Sequence, residues 1–144
     1  SIGIAAHEAG HAIQDAEDYG PLRMRSSLVP LCTIGNTLGY IVMAIGLLML
    51  YASGGSVVGK YVVYAGCGLF SLVLLFQIVT LPVEFDATRR AKEIVVDAGI
   101  IYREERVGMD KVLNAAAMTY VAAMVSTLLT LAYYIMRASY ASRD

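Results

Sequence analysis

The chain has 144 residues, 58% of them hydrophobic and 16% charged, with net charge −1 and mean hydropathy +0.62. Average soluble proteins are roughly 45–50% apolar, so this composition excludes an ordinary soluble domain and points to a fold in lipid. The near-neutral balance, with no basic face interleaved with aromatics, excludes a nucleic-acid partner.

The first residue is Ser1 rather than Met. The N-terminus is read as missing, so the lack of a targeting segment carries no weight. Residues 1–19 are predicted to form a helix, rich in Ala, acidic and polar at its end, and stopped by Tyr19-Gly20-Pro21. Within it stands His7-Glu8-Ala9-Gly10-His11, an H-E-x-x-H sequence that uses the only two histidines of the chain. On a helix, residues four apart share a face, so both imidazoles can point at one ion. Glu8 falls about 100° round the helix, close enough to reach a water beside that ion. Zinc lowers the pKa of such a water toward about 7, and a carboxylate can then take its proton during attack on a peptide carbonyl. The bland alternative, two polar residues on a solvated helix face, leaves the pairing of both histidines unexplained.

Residues 28–52 and 61–81 follow as apolar runs without a charge, and 115–136 is a third. A hydrocarbon core of about 30 Å takes about 20 helical residues to cross, so each run is predicted to span a bilayer. Ser53-Gly54-Gly55-Ser56 is a turn that makes a hairpin of the first two. Pro30, Gly35 and Gly39 lie in the first run, where neighbouring helices can compensate for disturbed backbone bonds. Ala115, Ala116, Ala122 and Ala123 suggest close helix packing in the third. Cys32 and Cys67 sit inside apolar runs and read as small hydrophobes, at a spacing that fits no zinc pattern.

Residues 82–99 are predicted as a further helix, kinked or restarted at Pro82 and ended by Gly99. A catalytic zinc site usually has three protein ligands and an open position. With no histidine left, the third ligand is Asp, Glu or Cys. Asp15, Glu17 and Asp18 share the histidines' helix and would have to fold back. After the hairpin, the first carboxylate on the returning chain is Glu84, which is favoured as the ligand. Thr88 shares its helical face and can orient a ligand or a ligating histidine. Asp86, with Arg89 and Arg90 at i+3 and i+4, reads as a surface ion pair, and Glu93 and Asp97 as solvated charges.

Four stretches together resemble the YugP-like neutral zinc metallopeptidases: Ala5 to Gln14, Pro21 to Ser26, Leu81 to Ala91 and Lys111 to Ala123. The layout is also similar to HtpX-type membrane proteases, which place two spans between H-E-x-x-H and a glutamate ligand. Their second motif has an aspartate four residues after that ligand, where Thr88 stands here. The resemblance implies further sequence upstream, including a membrane segment, and peptidase chemistry without a named substrate.

The expected fold is all-α: an integral-membrane helical protein with a surface zincin-type active-site helix and about three transmembrane helices. Residues 1–144 are read as a single metallopeptidase domain, truncated at its N-terminus. The expected function is a gluzincin-like, zinc-dependent membrane endopeptidase. His7, His11 and Glu84 bind Zn2+, Glu8 is the catalytic base, and Tyr19, Arg89 and Arg90 are candidate oxyanion donors. Its partners would be the lipid bilayer and a peptide or protein substrate, itself membrane-associated. Basic residues fall eight on the site side (Arg23, Arg25, Arg89, Arg90, Lys92, Arg103, Arg106, Lys111) against three on the other (Lys60, Arg137, Arg143). By the positive-inside rule this favours a cytoplasmic site, in a bacterial cell membrane. Two rivals remain. One is a site-2-type intramembrane protease, which takes an aspartate ligand from a later span. The other is a non-enzymatic membrane assembly or transport subunit, disfavoured because the apolar runs carry no ionisable pathway residues.

Overall fold

The computed structural model describes residues 2–141; Arg143 lies outside them. Four helices account for the fold, in the order α1 (Ile2–Ala16), α2 (Gly20–Ala52), α3 (Val57–Asp97) and α4 (Arg106–Ala141), with no strand among the described residues. The last three are each long and apolar enough to cross a membrane. Only 17–22% of their most apolar windows is buried within the chain. So much outward apolar surface is what lipid, rather than water, accommodates.

The joins follow from local chemistry. α1 ends with Asp18 at φ 54°, where Asp18 N–H donates to Asp15 O and Tyr19 N–H to Gln14 O, a Schellman-type cap. Pro21 then enters the first turn of α2, where its missing N–H costs nothing. α3 ends the same way at Gly99, whose φ of 66° a side chain would resist.

Two expectations need correction. The segment 82–99 is not a separate helix, because α3 continues through Pro82 to Asp97. The lost backbone bond at a proline is tolerable where packing on either side holds the helix. Also, Ala115, Ala116, Ala122 and Ala123 are exposed; the buried alanines of α4 are Ala117 and Ala138.

The chain divides into two compact units. One comprises Ser27–Gln77 and Met124–Asp144. Its core gathers Met43, Leu50, Val63, Cys67, Phe70, Val73 and Ala138. Glycines let α2 and α3 touch backbone to backbone there: a Cβ on Gly46 would lie 2.5 Å from Val63 N, and one on Gly66 2.5 Å from Met43 N. Gly35 and Gly39 are contact points of the same kind, against Leu69 and Phe70.

The other unit comprises Ser1–Ser26 and Ile78–Ala123. Its core is Ala6, Ala91, Val95, Met109 and Leu113, with Ile101 packed on it. Gly3, Ala6, Gly10 and Gln14 are the buried residues of α1, at spacings of three and four that define one face. That face lies on α3 so closely that a Cβ on Gly10 would sit 2.4 Å from the Ala87 carbonyl oxygen. The glycine inside H-E-x-x-H therefore sets how near the histidines come to α3.

Candidate metal centre

His7 and His11 stand one turn apart on α1, their rings edge to face with centroids 4.7 Å apart. Opposite them on α3 is Glu84, with a side chain only 2% exposed. His7 Nε2 lies 3.0 Å and His11 Nε2 3.4 Å from the same Glu84 oxygen, Oε2. One ligand atom from each of the three residues falls within 4.8 Å of the other two. Glu8 is outside this trio and exposed on the same helix.

The tautomer of His11 follows from its neighbours. Gln14 Nε2 donates to the Val83 carbonyl at 2.9 Å and to Asp86 Oδ2 at 2.9 Å. A carbonyl only accepts, which fixes which end of the Gln14 amide is nitrogen. Gln14 Oε1 is then an acceptor, 2.9 Å from His11 Nδ1. His11 Nδ1 therefore carries a proton, and Nε2 is the nitrogen that faces Glu84. Thr88 Oγ1, 3.4 Å from His7 Nδ1, stands in the equivalent place for the other imidazole.

Asp86 anchors this chain of bonds. It lies five residues past the apolar run, and burial opposes its ionisation. Hydrogen bonds from Gln14, Arg89 and Arg90 outweigh that and hold its carboxyl at about 2. The predicted ion pair with Arg89 and Arg90 is present, at 2.7 Å for each. The contact with Gln14 was not legible beforehand.

The charge of Glu84 is met by Arg25 from the start of α2, with Nη1 3.0 Å from Oε1. Their approach is close but poorly angled for a hydrogen bond, so Oε1 lacks a directed donor. Without an ion, a proton on His7 Nε2 bridges that nitrogen to Glu84 Oε2; removed, it leaves three donor atoms facing one point, which a cation would fill. Two imidazoles and a carboxylate are a zinc donor set, and the residues present fit that ion.

The candidates for stabilising a developing oxyanion each have partners of their own. Arg89 is held by Asp86 and Glu93, Arg90 by Asp86 and Glu17, and Tyr19 lies under Arg90 at 5.8 Å. Tyr120 on α4, which the sequence did not single out, shares a cavity with His7 and interacts with both Glu84 and Glu8. Asp15, Glu17 and Asp18 are exposed and do not reach the histidines; Asp18 pairs with Arg23. Cys32 and Cys67 are free thiols, and Cys67 is buried in the apolar core of the other unit.

Residues 1–139 match a protein family described as "Putative neutral zinc metallopeptidase". The chain is 41% identical over 137 residues to a Bacillus subtilis (strain 168) protein named "Putative membrane protease YugP". The aligned region covers 94% of this chain and 57% of that relative, so the chain spans little more than half the relative's length. No solved structure matches the chain.

Proposed function

Since the chain belongs to this family of neutral zinc metallopeptidases, we propose that it is the core of a membrane-bound, zinc-dependent endopeptidase. His7, His11 and Glu84 hold the metal and Glu8 is the general base. The observation that carries this reading is the convergence of His7 Nε2, His11 Nε2 and a Glu84 carboxylate oxygen within 4.8 Å, with Glu8 beside them on the same helix.

When bound, zinc supplies Lewis acidity, bringing the pKa of water at the site toward about 7. The protein groups do the rest. Glu8 takes a proton from the attacking water as its oxygen bonds to the peptide carbonyl carbon. When the C–N bond breaks, Glu8 returns that proton to the departing amine, so no covalent enzyme intermediate is needed. Gln14 and Thr88 keep the imidazoles aimed. Arg25 offsets the buried charge of Glu84. Tyr120 is the proposed donor to the carbonyl oxygen as it gains negative charge.

The substrate would be a peptide or protein, and the outward apolar surface of α2, α3 and α4 supports a membrane-associated one. The excess of basic residues on the site side supports a site at the cytoplasmic surface. Glu84 rather than an aspartate meets the histidines, and Asp86 is engaged by Gln14, Arg89 and Arg90. That argues against a site-2-type ligand set.

The test is Glu8→Gln in the full-length protein. It should retain zinc while hydrolysis of an unstructured protein falls by at least about 10²–10⁴-fold. Unchanged hydrolysis would remove Glu8 from the mechanism.

A further inference from the structure

Beside His7 lies a cavity of about 150 Å³, walled mainly by Ile4, Val112, Leu113 and Ala116, with Thr119 and Tyr120 as polar neighbours. Among the described residues, no charged side chain lines it. Its lining is mostly apolar, and an apolar cavity of about this volume holds a group the size of benzene. Its rim is open, because Ile4, Val112 and Tyr120 are each more than a third exposed. Ala116 is exposed too, so the small side chain there is not required by helix packing. It leaves room that a larger residue at that position would take up.

We infer that this cavity is the specificity subsite of the enzyme, accepting one medium or large apolar side chain (Leu, Met or Phe) next to the scissile bond. The inference rests on the hydrolytic reading above and adds to it a class of substrate. The location argues for this occupant over others. His7 is at once a wall of the cavity and a member of the proposed metal trio, so whatever fills the cavity lies one side chain from the reacting carbonyl. Tyr120 likewise lines the cavity and lies within electrostatic reach of Glu84. A peptide whose carbonyl is held between them places a neighbouring side chain against Leu113 and Ala116.

The test uses full-length, zinc-loaded protein in detergent and β-casein as an unstructured substrate, with cleavage sites mapped by mass spectrometry. The wild type should favour bonds flanked by Leu, Met or Phe over Gly or Ala by at least about tenfold, since a single methylene in an apolar pocket is worth about 10-fold or more. Ala116→Leu fills the cavity and should reverse that preference toward Gly and Ala with zinc content unchanged. Val112→Ala, at an exposed position, enlarges the cavity and should shift preference toward the largest side chains. It carries the test should Ala116→Leu fail to fold. A second readout is binding rather than turnover: the Glu8→Gln protein should bind a Phe-containing peptide about tenfold more tightly than its Gly counterpart. The same cleavage preference in wild type and folded variants, or equal binding of the two peptides, overturns the subsite and leaves the hydrolytic reading standing. Absence of any cleavage by the zinc-loaded wild type overturns the hydrolytic reading, and the subsite with it.

Discussion

His11 and Gln14 are joined by a 2.9 Å hydrogen bond across one turn of α1, and the glutamine is itself fixed by the Val83 carbonyl and Asp86 of α3. A single buried amide thereby sets the tautomer of one proposed ligand and ties its helix to the helix that carries another. Gln14→Leu keeps the volume and removes both functions. Zinc affinity should fall by about 10–100-fold, the usual cost of losing a group that orients a ligand, as read by competition with a chelator.

Gly10 offers a test of the helix contact itself. In an isolated helix Gly→Ala is favourable by roughly 1 kcal/mol. Here the new Cβ would meet the Ala87 carbonyl oxygen at 2.4 Å. Gly10→Ala should therefore destabilise the protein by about 1–3 kcal/mol and weaken zinc binding. Gly68→Ala, where nothing lies within 4 Å of the added carbon, should do neither. Unfolding curves and zinc content of the two variants make the comparison.

Arg25 and the metal compensate the same buried carboxylate. Arg25→Gln should destabilise the metal-free protein by about 1–2 kcal/mol, the cost of a broken ion pair reduced because Arg25 is partly solvated. Added zinc should recover most of that loss. The difference between zinc-free and zinc-loaded midpoints is the measurement, and it should widen in the variant.

Tyr120→Phe separates a donor to the transition state from a wall of the site. The account expects kcat to drop by about 10²–10³-fold with KM and zinc content near wild type. A rise in KM alone would reduce Tyr120 to a contact residue.

How much of this was legible in the sequence depends on how far apart the partners lie. His7, Glu8 and His11 occupy one turn, so helical spacing alone brings them together. Glu84 was reachable through topology, as the first carboxylate after a hairpin of two apolar runs, and the structure places it against both histidines. The pairing of Asp86 with Arg89 and Arg90 follows from i+3 and i+4 spacing. Gln14 was not legible, because its role exists only through Val83 and Asp86, 69 and 72 residues away. Arg25 and Tyr120 stand in stretches that resembled the family, but nothing local marks either as a neighbour of Glu84. Of the two readings of Pro82, a kink or a restart, the restart is excluded, because α3 continues through it to Asp97. The exposed alanines of α4 misled, since small residues signal close packing only where another helix arrives.

The most direct test of the central claim is zinc per chain in full-length protein purified in detergent, wild type beside His11→Ala and Glu84→Ala. The account predicts about one zinc in the wild type and its loss in both variants, while the fold persists. A wild type without zinc, or a Glu84→Ala variant that keeps it, would contradict the assignment of His7, His11 and Glu84 as the metal centre.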